Sequence, residues 1–225
     1  MKRRTLLPVA ASLTATAALL LTACGGGGDD AGGGGKIAGA ATADATPSAS
    51  PSASTAASVI DRPKMTLPSD VKLVFDLAKP SDAKEAAALG DAENFVRAIA
   101  YGIVKQDAGD AAYKFYSVPL SNAQSYAKDQ IQQHIDNGYT ITGTRRLTHG
   151  KVVMASNGTQ ASVSFCEDDS KFYGREVKTR KIHVTAPSAN DYYYFEIVMT
   201  ASTGHKGLWT AEAIEVQGKA TQCKA

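Results

Sequence analysis

The sequence predicts an α+β domain, with helices leading into a curved antiparallel sheet. Two observations carry that prediction. Between residues 82 and 136 apolar side chains recur at three- and four-residue steps, the period of a helix with one buried face. Beyond residue 147 the pattern changes to alternation, in two strand pairs, one of them bracketing Asn157-Gly158, a strong short hairpin signal. Helices followed by a run of strands pack as a helical layer on one face of a sheet.

The elements follow in order. Val71, Leu73 and Phe75 alternate and predict a short first strand. Pro80-Ser81-Asp82 opens a helix, with Asp82 and Glu85 at capping-box spacing. Leu89, Ala92, Val96, Ile99 and Ile103 form its stripe, and Gly90-Asp91 is a candidate kink or break. The turn Asp107-Ala108-Gly109-Asp110 ends it, and a short helix covers Ala111 to Tyr116. Ser121 and Gln124 cap a third helix carrying Tyr126, Ala127, Ile131 and Ile135; Gly138 closes it. Leu147–Ala155 pairs with Gln160–Cys166, and Tyr192–Ala201 pairs with Leu208–Val216. Tyr193, Phe195, Ile197 and Met199 share one face, and Tyr192, Tyr194 and Val198 the other. Trp209, Ala211 and Ala213 read as one face meeting the helices, with the Trp209 ring filling the gap.

The chain of 225 residues divides into three stretches. Residues 1–23 carry Lys2, Arg3 and Arg4 ahead of an apolar run from Leu6 to Leu21, the pattern of a secretory signal. It closes in Leu21-Thr22-Ala23-Cys24, which resembles the bacterial lipobox. That resemblance implies cleavage after Ala23 and a lipid anchor of palmitate-type acyl chains on Cys24, which places the protein on the extracytoplasmic face of the cell membrane. Residues 24–62 read as a disordered linker: 29 of the 36 residues from 25 to 60 are Gly, Ala, Ser, Thr or Pro. Such a coil spans roughly 30–36 Å root-mean-square. Residues 63–225 form a single domain.

Charge excludes one class of partner. The chain has 24 basic and 22 acidic side chains, and the three basic residues of the signal account for the excess. Without them 21 basic residues face 22 acidic ones, so no field favours nucleic acid. With Cys24 assigned to lipid, Cys166 and Cys223 remain as a disulfide pair in an oxidising compartment.

The long helix, the Gly109-Asp110 turn with Tyr113 and Tyr116 after it, the further helix and the antiparallel strands together resemble the nuclear transport factor 2-like cone fold over residues 85–217. Ketosteroid isomerase and polyketide-cyclase-like proteins share that fold, and a cystatin-like packing is the nearest rival. The whole chain is also similar to small secreted actinobacterial lipoproteins of undefined function. The resemblance implies a cone whose wide end opens into an apolar pocket. Tyr101, Tyr113, Tyr116, Tyr126, Phe165, Phe195 and Trp209 are the candidate lining residues, with core packing as the alternative for each.

Candidate chemistry is sparse. His134, His149, His183 and His205 form no metal-ligand pair, and no serine-nucleophile motif occurs, so no catalytic residue, metal or cofactor is assigned. Glu167-Asp168-Asp169 reads as a solvated turn. Lys178, Arg180 and Lys181, with Arg175 nearby, read as edge-strand charge, with anionic lipid as the second reading. Glu196 is the one carboxylate offered for the cavity, and only if its strand register is inverted. The favoured function is a non-enzymatic, lipid-anchored domain binding a small ligand, an envelope component or a protein partner. The alternative is an enzyme of ketosteroid-isomerase or cyclase type.

Overall fold

The structure, a computed structural model, describes residues 60–224. The signal segment, Cys24 and the linker as far as residue 59 lie outside the described residues. The elements are β1 (Val71–Phe75), α1 (Ala83–Lys105), α2 (Ala111–Phe115), α3 (Asn122–Asp136), β2 (Tyr139–Met154), β3 (Gln160–Glu176), β4 (Ile182–His183), β5 (Tyr192–Ala201) and β6 (Trp209–Gly218). Helices pack on one face of a curved, unclosed sheet of order β1-β2-β3-β5-β6, with β4 alongside β3. Among the described residues no helix is long and apolar enough to cross a membrane.

The helix termini lie where the capping residues put them. Asp82 accepts from the backbone N–H of Lys84 and Glu85, and Ser121 Oγ accepts from Gln124 N–H. Each satisfies donors the first turn leaves unpaired. Gly90-Asp91 does not break α1, which runs without interruption for 23 residues. Asp91 has another task. It is 2% exposed, receives the Arg62 guanidinium through both terminal nitrogens, and accepts the Trp209 backbone N–H at 2.9 Å. One buried carboxylate therefore joins the entering chain, α1 and the start of β6. The domain accordingly takes in residues the composition gave to the linker, since Ile60 also packs on the core.

The sheet differs from its expectation in three ways. β1 pairs in parallel with β2, so the sheet is mixed at that edge. β2 starts at Tyr139 rather than Leu147, because Gly143 and Arg145-Arg146 interrupt the apolar alternation there. Gly143 has φ +99°, and an added Cβ would lie 2.2 Å from the Lys171 carbonyl oxygen, so only glycine fits. β3 continues ten residues past Cys166, through the acidic triplet that reads as a turn.

Register irregularities bend the strands and change which residues point inward. Opposite Arg145, β3 holds an extra residue between Asp168 and Lys171. The inward positions Phe165, Glu167 and Asp169 therefore give way to Phe172 and Gly174. Another irregularity, in β6, falls at Glu212. Trp209 and Ala211 point inward as expected, but Ile214 and Val216 take over from Ala213. The inner face and the helices enclose a core including Phe95, Leu147, Phe165, Ile197 and Met199, with Phe165 and Phe195 stacked at 5.2 Å. On the outer face the Cys166–Cys223 disulfide, beside Tyr192 and Tyr194, fastens the tail to β3.

Candidate functional site

The core does not fill the space between helices and sheet. A cavity of about 520 Å³ lies between α1, α3 and the inner sheet face. One part of its wall is apolar: Val96, Ile99 and Ile103 from α1, Ile141 from β2, Phe195 from β5 and Ile214 with Val216 from β6. Tyr126, Gln130 and His134 enter from α3, and Tyr193 from β5. A more open recess of about 470 Å³ adjoins it, sharing His134, Phe172, Tyr173 and Gly174 and reaching Tyr139 and His183. α1 and α3 meet closely because Gly102 leaves room for Ile131, whose Cδ1 would lie 2.4 Å from any Cβ at that position.

One charged cluster stands in this space. Arg145 Nε and Nη2 donate to the two carboxylate oxygens of Asp169 at 2.7 and 2.6 Å, a bidentate pair. Arg145 Nη2 also lies 3.3 Å from Glu167 Oε1, and its guanidinium rests 4.5 Å above the Phe172 ring. Glu167 is 3% exposed, and its Oε2 receives no hydrogen bond from any described donor. A buried oxygen without a donor is costly in a dry protein interior.

The protonation states follow from burial and charge. Burial pushes the Glu167 carboxyl up to about 8; the Arg145 charge opposes this, while Asp169 adds to it by repulsion and as hydrogen-bond acceptor for the carboxyl proton. Burial works against the charge of Arg145, but Asp169 and Glu167 more than offset it, so the guanidinium stays protonated. Burial raises the Tyr126 and Tyr193 phenols, which remain neutral. Burial lowers His134, whose Nδ1 donates to the Gln130 carbonyl at 2.8 Å.

The candidate lining residues separate into two groups. Tyr126 and Phe195 line the cavity. Tyr113, Tyr116, Phe165 and Trp209 are packed in the core instead, and Tyr101 packs against it with Lys105 over its ring. Tyr113 is buried with its hydroxyl donating to the Ala108 carbonyl, and Tyr116 lies beside Arg62. Glu196 faces away from the cavity, exposed, and accepts from Ser162 Oγ. The cavity carboxylates are Glu167 and Asp169, which belong to a strand and not to a solvated turn.

The other singled-out groups lie elsewhere. His149 falls in a further register shift, between Thr148 and Lys151 of β2, His183 pairs with Glu176, and His205 sits in the β5–β6 turn. Arg175 is buried against Asp70, leaving Lys178, Arg180 and Lys181 exposed in the β3–β4 turn. Among the described residues no group of three or more His, Cys, Asp or Glu is arranged to hold a metal ion. The sequence signal for Glu167 is its place two residues beyond Phe165, on the same strand face, with Arg145 elsewhere as a counter-charge.

Fold and site together define an α+β domain with helices over a curved sheet and an internal cavity holding one charged cluster. No family model matches the chain, and no curated protein matches its sequence. Among solved structures it is similar to the intermembrane space region of chloroplast protein ARC6, at 11% identity and TM-score 0.40, over 62% of this chain and 98% of that one. It is also similar to a ketosteroid isomerase-like protein from Erwinia carotovora atroseptica, at 11% identity and TM-score 0.40, over 60% of this chain and 95% of that one.

Proposed function

We propose that this protein is a lipid-anchored extracytoplasmic binding protein, held by Cys24, whose cavity takes a small, mostly apolar ligand bearing one polar group. The observation that carries the binding reading is the Glu167 carboxyl, buried in a cavity of about 520 Å³ that also offers a wall of aliphatic side chains, with Oε2 lacking a protein donor. Apolar walls supply affinity, and a few convergent polar groups set orientation. The anchor rests on the lipobox-like Leu21-Thr22-Ala23-Cys24. A ligand taken from the envelope fits that position, and a protein partner on the outer surface is compatible with it.

Binding is tested with N-phenylnaphthylamine, a neutral dye that fluoresces in apolar surroundings. The wild-type domain is expected to enhance its emission, and Ile99→Trp, which fills the cavity from α1, to abolish the enhancement without lowering the melting temperature. Equal enhancement by both proteins would remove the cavity as the site. For the anchor, Cys24→Ala is expected to abolish lipid labelling and to leave a folded protein that is either released or left uncleaved; retained lipid labelling would refute Cys24 as the anchor.

The second reading, an enzyme of ketosteroid-isomerase or cyclase type, draws on the same carboxyl, whose raised pKa suits proton transfer near neutral pH. Turnover of an unsaturated ketosteroid, lost in Glu167→Gln, would favour it over simple binding.

A further inference from the structure

Resting on the binding reading above, we infer that the cavity ligand carries a single positive charge, an ammonium group that pairs with Glu167. The inference starts from a charge count. Arg145 and Asp169 satisfy each other through two parallel hydrogen bonds and form an internally neutral unit. Glu167 is the surplus carboxylate. It shares Arg145 only through the longer contact at 3.3 Å and leaves Oε2 without a donor.

Every element around Glu167 bears on this count. β2 presents Arg145, β3 presents Asp169 and Tyr173, α3 presents Tyr126 and His134, and β5 presents Tyr193; α1 and β6 present no titratable side chain to the cavity. The Tyr126 and Tyr193 phenols are neutral, and His134 is held toward its neutral form by burial. No second cation among the described residues therefore balances Glu167 from the protein side. Without a ligand, a proton on Glu167 does so; burial raises this carboxyl to about 8, with Arg145 opposing the rise and Asp169 adding to it.

A ligand ammonium supplies the same positive charge in a better form. It brings up to three N–H donors to the Oε2 that lacks one. Tyr126, Tyr193 and Phe195 bring further aromatic rings to the cavity wall, and an aromatic ring attracts a cation placed over its face. The exchange balances: the ammonium enters with its charge, the Glu167 O–H bond breaks, and that proton leaves to solvent. One positive charge replaces another.

The test uses three probes of one shape: naphthylmethylamine, naphthylmethanol and naphthoate, titrated by calorimetry into the wild-type domain. The amine is expected to bind at least about tenfold tighter than the alcohol, with release of about one proton, read from heats in two buffers of different ionisation enthalpy. Its affinity is expected to rise about tenfold between about pH 6 and about pH 7 and to level off above about pH 8. Glu167→Gln, if its melting temperature shows it folded, is expected to bind amine and alcohol equally and to release no proton. The wild-type comparison decides the matter even if that variant does not fold. Equal binding of amine and alcohol, or tighter binding of naphthoate, overturns the cationic ligand and leaves cavity binding standing. Failure of all three to bind, with no dye enhancement, overturns both.

Discussion

Glu167→Gln should change how stability depends on pH, and the size of the change follows from the burial of this carboxyl. Its pKa stands at about 8 in the folded chain, against an ordinary value of 4.5. Between those values the native state holds a proton that the unfolded state has lost. Stability therefore falls as pH rises through this window, by up to about 1.4 kcal/mol per pH unit and at most about 5 kcal/mol in all. For a domain of this size that corresponds to roughly 3–6 °C in melting temperature per pH unit. The amide of the variant does not titrate, so this contribution is missing from it. Other groups titrate in the same range; His134, lowered by burial, contributes stability that increases with pH through its own transition. Subtracting the variant's melting curve from the wild type's removes them. The assay is thermal unfolding by circular dichroism at half-unit steps from about pH 5 to about pH 8.5, with the difference expected to fall steadily across the range. A flat difference would mean that Arg145 keeps Glu167 ionised throughout, and would refute the protonated state on which the charge count rests.

Three further outcomes follow from the packing. Trp209→Ala should cost about 3–5 kcal/mol, because the ring is 3% exposed between sheet and helices, and wild-type emission should be blue-shifted and poorly quenched by acrylamide. Reducing Cys166–Cys223, or replacing both by Ala, should cost about 4 kcal/mol on the chain-entropy treatment for residues 57 apart, read as a shift in urea midpoint. Asp91→Ala should cost about 2–4 kcal/mol by stranding the Arg62 guanidinium and the Trp209 N–H, whereas Asp91→Asn, which still accepts from Trp209, should cost less. Urea denaturation of the two variants separates the cases, and equal losses would mean that the Trp209 hydrogen bond contributes nothing.

The fold was legible where local chemistry and tertiary packing agree. Asp82, Ser121 and Gly138 mark helix ends because the groups they satisfy are within a turn of them. Asn157-Gly158 marks its hairpin because Gly158 takes a positive φ of 65° that most residues avoid. What could not be read is long-range. The parallel pairing of β1 with β2 sets Val71 against Gly143, and nothing in Val71–Phe75 specifies so distant a partner. The Gly90-Asp91 pair looks like a break because the partner that holds Asp91, Arg62, lies 29 residues earlier in a segment with linker composition.

The site was hidden by the same cause, in a sharper form. A carboxylate at an inward strand position is so costly alone that Glu167-Asp168-Asp169 reads as a solvated turn. The reading fails because the counter-charge comes from another strand, and because register, not composition, brings it there. The extra residue in β3 lies opposite Arg145, so Asp169 can close its two-pronged pair with that guanidinium while Phe172 and Gly174 resume the cavity wall beyond it. Tyr126 and Phe195 were found because aromatic residues on amphipathic faces announce burial, although the other five candidates went to the core or its margin. Apolar pattern can locate an interior. It cannot tell which interior side chains border empty space, and it discards the charged residues that give that space its chemistry.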